Sequence, residues 1–64
     1  MDLVYLMING NDWDDIIIFL TKREAIEASK KFPNIRLEIF SKTDFGYQPT
    51  YDFYKDGILY KIYE

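Results

Sequence analysis

The segment over residues 9–15 concentrates the side chains of this sequence that are best suited to chemistry. It carries three carboxylates, from Asp12, Asp14 and Asp15, and the amides of two asparagines. Such oxygen donors are ligands for Ca²⁺ or Mg²⁺, but their spacing differs from that of an EF-hand loop, which has its glycine after the alternating ligands and a glutamate further on. A polar turn with carboxylates in water explains the same residues, so the sequence leaves open whether these aspartates bind a cation.

The chain lacks the side chains that most often perform nucleophilic or acid–base catalysis near neutral pH. It has no His and no Cys, and its only serines are Ser29, in a predicted helix, and Ser41, in a predicted loop. A pair of carboxylates can act as acid and base in glycosidases, but it needs a cleft that so small a domain rarely supplies. We therefore predict a protein that is not an enzyme and has no cofactor.

Trp13 stands among the aspartates of the same segment. A tryptophan between charged residues is typical of an interface anchor, and the neighbouring carboxylates would suit a basic protein partner. The ring can equally fold back as a lid over a small core. The sequence does not separate these two roles.

The C-terminal third of the chain is rich in aromatic residues. Seven of the last 20 residues are tyrosine or phenylalanine, namely Phe45, Tyr47, Tyr51, Phe53, Tyr54, Tyr60 and Tyr63. Aromatic side chains are enriched where proteins contact partners. The residues that we predict to contact a partner are Trp13, Phe53, Tyr54, Tyr60 and Tyr63.

Four basic residues accompany these aromatic side chains, namely Arg36, Lys42, Lys55 and Lys61. Sheets that stack the bases of single-stranded nucleic acid have a similar composition. However, the chain has no RNP-like pattern, and its net charge of −3 and pI near 4.7 have the wrong sign for a nucleic-acid-binding protein. We favour tyrosines that form strands and place their hydroxyls at a wet interface, and single-stranded nucleic acid remains an alternative partner.

Apolar runs and turn signals predict a single α+β domain over residues 1–64, with the element order β-β-α-β-β-β. Residues 3–8 and 16–20 are expected to form a hairpin, joined by a wide loop that pairs Ile8 near Ile16. A capping box at Thr21 and Glu24 begins a helix of about 11 residues, which Pro33 ends. Because residues 16–20 are apolar at every position, we expect that strand to be covered on both faces.

The remaining strands are predicted at residues 35–40, 50–54 and 58–63. Residues 41–49 are expected to form a loop. Asp56 and Gly57 predict a tight hairpin turn, because an Asp-Gly pair readily adopts the positive φ that both central residues need. The result is a largely antiparallel sheet with the helix on one face.

A helix this short covers only one face of a five-stranded sheet. Depending on the register, the other face would expose Val4, Leu6, Ile17, Phe19, Phe40 and Leu59, or their alternates. Contiguous apolar patches usually mark an interface, and a domain of 64 residues without disulfides needs additional stabilisation. We therefore predict a symmetric homodimer, which either buries this face or extends the sheet edge to edge.

The longest apolar runs, over residues 3–8 and 16–20, are much shorter than a membrane span. The N-terminus also lacks a basic region followed by a signal core. These features predict a soluble protein kept inside a cell, with no membrane contact.

Across nearly its whole length the chain resembles a group of small uncharacterised proteins from marseillevirus-type large DNA viruses of amoebae. The resemblance lies in residues 1–15 with the isoleucine-rich strand that follows, in the helix start at 21–25, and in the hairpin at 51–57. It implies an abundant component of the virion, present in the host cytoplasm during infection, that contacts other virion or host proteins and has no catalytic role. It supplies no site residues.

Overall fold

The computed structural model describes residues 2–10 and 12–62 and has the α+β fold that the sequence predicts. Its elements in chain order are β1 (Leu3–Ile8), a short 3-10 helix (Trp13–Asp15), β2 (Ile16–Phe19), α1 (Lys22–Lys31), β3 (Leu37–Thr43), β4 (Gly46–Lys55) and β5 (Ile58–Tyr60). The five strands form one sheet in the order β2-β1-β3-β4-β5, and every neighbouring pair is antiparallel.

The first hairpin has the predicted wide loop. Ile8 lies opposite Ile16, which confirms the predicted register of β1 and β2. The helix then returns the chain across the sheet, so that β3 pairs with the free side of β1, with Tyr5 opposite Ile39. β1 is therefore an interior strand although it comes first in the chain.

The helix begins and ends near the predicted residues. The Thr21 hydroxyl accepts a hydrogen bond of 3.2 Å from the backbone N–H of Glu24 and donates one of 3.0 Å to the Glu24 carboxylate. These contacts satisfy an N–H group that the first turn leaves free. Phe32 caps the other end, directly before Pro33. In the described part of the chain no helix has the length and apolar character needed to cross a membrane.

The core lies between the helix and one face of the sheet. Its buried hydrophobic residues are Tyr5, Met7, Ala25, Leu37, Ile39 and Tyr54. Alternate residues of a strand point to opposite faces, so the odd-numbered residues of β1 and of β3 up to Ile39 supply most of this layer. The molecule is a slab 19 Å thick, which fits two layers about 10 Å apart.

The prediction of a loop over residues 41–49 is wrong, because β3 continues to Thr43 and β4 begins at Gly46. The turn consists only of Asp44 and Phe45. The Thr43 hydroxyl closes it by donating to the carbonyl of Gly46 at 2.9 Å and accepting from the N–H of Phe45 at 3.1 Å. The turn-forming residues in this segment therefore lie mostly within paired strands, and the Thr43 hydroxyl closes the short turn between them.

Pro49 is compatible with β4 because of where β5 ends. β5 pairs with β4 only over the residues opposite Phe53 to Lys55, so β4 forms the edge of the sheet at Pro49. Proline is tolerated at a sheet edge, where its missing N–H breaks no ladder bond. The predicted Asp56-Gly57 turn is confirmed, with φ values of 52° and 78°, although β5 itself ends at Tyr60 rather than at residue 63.

The prediction that the second strand is covered on both faces is also wrong. β2 is an edge strand, and Ile17 and Ile18, on its two faces, are 43% and 57% exposed. The helix is too short to cover all five strands. Continuous apolar sequence at this edge therefore leaves apolar surface in water.

Candidate functional site

The face of the sheet opposite the helix is open, and one row of side chains crosses all five of its strands. The cross-strand neighbours in this row are Ile18, Leu6, Glu38, Phe53 and Tyr60. We call this side the open face. Its apolar and aromatic side chains are Val4, Leu6, Ile8, Ile16, Ile18, Phe40, Tyr47, Pro49, Phe53, Ile58 and Tyr60.

The register decides which of the predicted apolar residues lie on the open face. Val4, Leu6 and Phe40 are on it, as expected. Ile17 and Phe19 lie on the helix side, because they pair with Met7 and Tyr5, and Leu59 lies there because it pairs with Tyr54. Their alternates Ile16, Ile18, Ile58 and Tyr60 take the open positions.

An aromatic and charged stack occupies the β3–β5 part of the open face. The guanidinium carbon of Arg36 lies 3.7 Å from the centroid of the Phe53 ring. On the β5 side, the Phe53 and Tyr60 rings stack with centroids 5.1 Å apart and an angle of 10° between their planes. Arg36 also pairs with Glu38, with 2.9 Å between Nη2 and Oε2. Phe53 is therefore held between two neighbours, and the arginine charge is already balanced.

The molecule exposes more surface than a compact monomer of the same mass. The folded chain exposes 5069 Å², whereas a compact monomer of 7.7 kDa is expected to expose about 4,300 Å². The difference, about 700 Å², is close to the ~800 Å² that each partner buries in a standard protein interface.

The structure brings two of the predicted contact residues together and separates the others. Phe53 and Tyr60 are neighbours on the open face. Tyr54 is only 5% exposed and faces the helix, so its prediction as a contact residue is corrected: it directly follows Phe53 and points to the opposite side of the strand. Trp13 lies in the loop between β1 and β2, and Tyr63 lies outside the described residues.

The loop that carries Trp13 is fixed by hydrogen bonds around Asp15. The carbonyl of Asp15 accepts from the N–H of Asn9 at 2.9 Å, and its carboxylate accepts from the N–H of Asp12 at 3.2 Å. Gly10 packs so closely against Asp15 that a Cβ there would collide with the carboxylate. Trp13 is 87% exposed in this loop, so the interpretation of its ring as a lid over the core is wrong.

A shallow groove joins the Trp13 loop to the open face. Its walls are Ile8 and Ile16 from the open face and Asp12 and Trp13 from the loop. A partner seated on the open face would therefore meet the indole ring at the same edge.

Within residues 2–10 and 12–62, no group of three or more acidic side chains is arranged to hold a metal ion.

The sequence analysis grouped Arg36 with other basic residues and did not predict its contacts with Phe53 and Glu38. The signal was local, since Arg36 and Glu38 are two positions apart next to a strand and so reach the same face. Their contact with Phe53 needed the register of β3 with β4, which depends on long-range pairing.

Comparisons of the chain with protein-family models, with curated proteins and with solved structures find no match.

Proposed function

We propose that this protein is a non-catalytic interaction protein that forms a homodimer by packing two open faces together. The observation that carries the proposal is the row of side chains from Ile18 to Tyr60, which gives the whole width of the sheet an uncovered surface. Such a surface is larger than the single exposed hydrophobic residues that are normal on a monomer.

The exposed area of the molecule is compatible with a symmetric pair. The excess of about 700 Å² per chain, taken over the whole molecule, corresponds to about 1,400 Å² in a dimer, within the range of specific interfaces. A second copy is a natural occupant, because a two-fold axis places the same patch on both sides of the contact.

The chemistry of the open face also supports a protein contact. Its charged groups Arg36 and Glu38 satisfy each other, so burying them leaves neither charge without a partner. The stack of Arg36, Phe53 and Tyr60 is formed within one chain, which lowers the entropy lost when a partner binds. The small core, with six buried hydrophobic residues in the described part of the chain, gives the monomer little stability to spare.

The test is the absolute mass in solution, measured by light scattering coupled to size exclusion at low and high salt. We expect a salt-resistant dimer of about twice the chain mass, since apolar contacts are not screened. Ile18→Lys, on the open face, should give monomers. Ile17→Lys is the matched control on the helix side of the same edge strand and should remain dimeric. A stable wild-type monomer at micromolar concentration would overturn the proposal.

A second candidate function is a binding module for a basic protein, which the exposure of Trp13 among carboxylates favours. Binding would weaken steeply as salt is added, because it depends on exposed charges. Trp13→Ala should then abolish binding to a basic test protein such as a histone while the chain stays dimeric. Equal binding by the Trp13→Ala variant would remove this candidate.

Binding of single-stranded nucleic acid to the aromatic part of the open face is less well supported than binding of a basic protein. Phe53 has a neighbour on each side and Arg36 is paired with Glu38, so neither is free to stack a base or bind a phosphate. Titration with oligo(dT) and oligo(U) at low salt tests this form directly.

Because the sequence resembles marseillevirus-type proteins, we extend the proposal and infer that the protein is a component of the virion. Within that extension the dimer contacts other virion or host proteins, in the particle and in the host cytoplasm during infection. Quantitative mass spectrometry of purified particles would find the protein among the abundant components, and its absence from them would reject the extension.

A further inference from the structure

The helix side of the sheet contains a cleft of about 490 Å³ beside the start of α1. It forms because the helix packs over one part of the sheet and leaves the other part uncovered. Its apolar walls are Leu3, Leu20, Ile39 and Leu59. The volume lies within the range of small-molecule sites, which is about 300–1,000 Å³. This cleft is separate from the open face and from the Trp13 loop.

Two tyrosines, Tyr5 and Tyr54, line the cleft. They are only 4% and 5% exposed, and their ring centroids lie 6.1 Å apart. Neither hydroxyl takes part in a hydrogen bond among the described residues, and neither is sealed away from solvent as an unsatisfied polar atom. Both hydroxyls are open to the cleft, so each can donate a hydrogen bond to water or to an acceptor of a ligand that enters it.

The protonation of Tyr5 suits a donor. Burial, and to a lesser extent the neighbouring Tyr54, raise the pKa of Tyr5 above its ordinary value of 10.0. The hydroxyl therefore keeps its proton at neutral pH and can donate it to an oxygen of a ligand.

The charged groups of the cleft favour an anion. Lys22 and Lys61 contribute two ammonium groups, against the single carboxylate of Asp52. That carboxylate already accepts a hydrogen bond of 3.2 Å from the N–H of Ile62. The lysines therefore leave the cleft with an excess of positive charge in a chain whose net charge is −3.

We propose that this cleft binds a small lipophilic carboxylate. The hydrocarbon part of the ligand lies against Leu3, Leu20 and Leu59, and its carboxylate accepts hydrogen bonds from the tyrosine hydroxyls and pairs with Lys22 or Lys61. Apolar walls with a few convergent polar groups are the usual composition of such sites.

Three probes with the same alkyl group and different head groups test whether the cleft prefers an anion: octanoate, octanol and octylammonium. Calorimetric titration of the intact protein should show octanoate binding at least about tenfold more tightly than octylammonium, because the rim is cationic. Backbone NMR shifts on adding octanoate should be largest near Tyr5, Leu20 and Leu59. Octanol binding as tightly as octanoate, or shifts located on the open face, would overturn the proposal.

Substitutions test the lysine charges and the tyrosine hydroxyl separately. Lys22→Gln with Lys61→Gln should weaken octanoate binding by about five- to tenfold, as expected for the loss of charge-assisted contacts. Lys42→Gln, on the open face, is the matched control and should leave it unchanged. Tyr5→Phe keeps the ring and should weaken binding by about threefold or more through the lost hydroxyl.

Equal losses in the lysine control and in the cleft variants would overturn the proposal. Binding to vesicles that contain phosphatidylglycerol without any binding of free octanoate would also overturn it, because the carboxylate would then not be the recognised group. The Tyr5→Phe variant is compared only after its melting curve shows that it is folded. The oligomeric state of the protein does not decide any of these outcomes, so this proposal and the homodimer can fail independently.

Discussion

The side-chain oxygen of Ser29 accepts a hydrogen bond of 2.8 Å from the backbone N–H of Gly57. Ser29 is fully buried, and its hydroxyl donates to the carbonyl of Ile26, also at 2.8 Å. Lys30 covers the same turn, since a Cβ on Gly57 would come within 2.7 Å of its Cε. One hydroxyl group thus fixes the β4–β5 turn to the helix.

Ser29→Ala should lower the free energy of unfolding by about 1–3 kcal/mol, because the N–H of Gly57 would lose its partner in a partly buried position. Urea unfolding followed by circular dichroism measures the change. Thr43→Ala is the control, since it also removes a hydroxyl with two hydrogen bonds, but from an exposed turn. A loss in Thr43→Ala as large as in Ser29→Ala would contradict the role assigned to burial.

Phe53→Ala and Tyr60→Ala should each weaken self-association, because they remove the stack from the open face. For an aromatic residue that anchors an interface the expected cost is about 2 kcal/mol, or about 30-fold in the dimer dissociation constant. Sedimentation equilibrium measures that constant. Phe45→Ala is the matched control, because Phe45 is 91% exposed at the β3–β4 turn. Unchanged dimers in both open-face variants would count against that face.

Tyr51 has a φ of 71°, in the left-handed region that bulky residues rarely adopt. Tyr51→Gly should therefore be more stable than Tyr51→Ala by about 1 kcal/mol, since both variants lack the ring and only glycine accepts this φ without strain. Thermal unfolding of the two variants measures the difference. Equal melting temperatures would show that the backbone at residue 51 relaxes.

The stability of the protein should fall as the pH rises above about 10, the pKa of an unperturbed tyrosine. Because the pKa of Tyr5 is raised in the folded state, the folded chain binds more protons than the unfolded chain between the two pKa values. The stabilisation is complete below the unfolded pKa and is lost as the pH passes through the folded one. Urea midpoints between pH 8 and 11 should show a shallower decline in Tyr5→Phe; the same decline in both proteins would refute this linkage.

In the monomeric protein, the fluorescence of Trp13, the only tryptophan, should match that of an indole in water. The ring is 87% exposed, so its emission should be quenched by acrylamide almost as efficiently as free tryptophan. Trp13→Ala should change the free energy of unfolding by no more than about 0.5 kcal/mol, as expected for a surface substitution. A blue-shifted emission that persists on dilution to the monomer would place the ring against the chain instead.

The sequence was sufficient for the element types because their signals are local. The Thr21–Glu24 cap, the Asp56-Gly57 turn and the pairing of Ile8 with Ile16 depend on neighbouring residues. Together with the apolar alternation of the strands, these local signals are enough to predict the element order.

The division of residues between the two faces was harder to predict. β4 has three residues between Pro49 and Phe53, whereas the facing segment of β3 has one between Phe40 and Glu38. This bulge adds two residues to β4, so Pro49 and Phe53 stay on the same face while the pairing register with β3 shifts, and nothing in the composition marks it. The Tyr5–Tyr54 cleft was missed for a related reason, because it requires β1 and β4 to be brought close across β3.

The strand order also has a consequence for synthesis on the ribosome. β3, β4 and β5 are joined by two-residue turns, so their pairing closes short loops and should form rapidly. β1 must wait for β3, which leaves the ribosome only after the helix. The apolar β1–β2 hairpin therefore emerges before the strand that completes its pairing, and nascent chains should engage chaperones through it until β3 is synthesised.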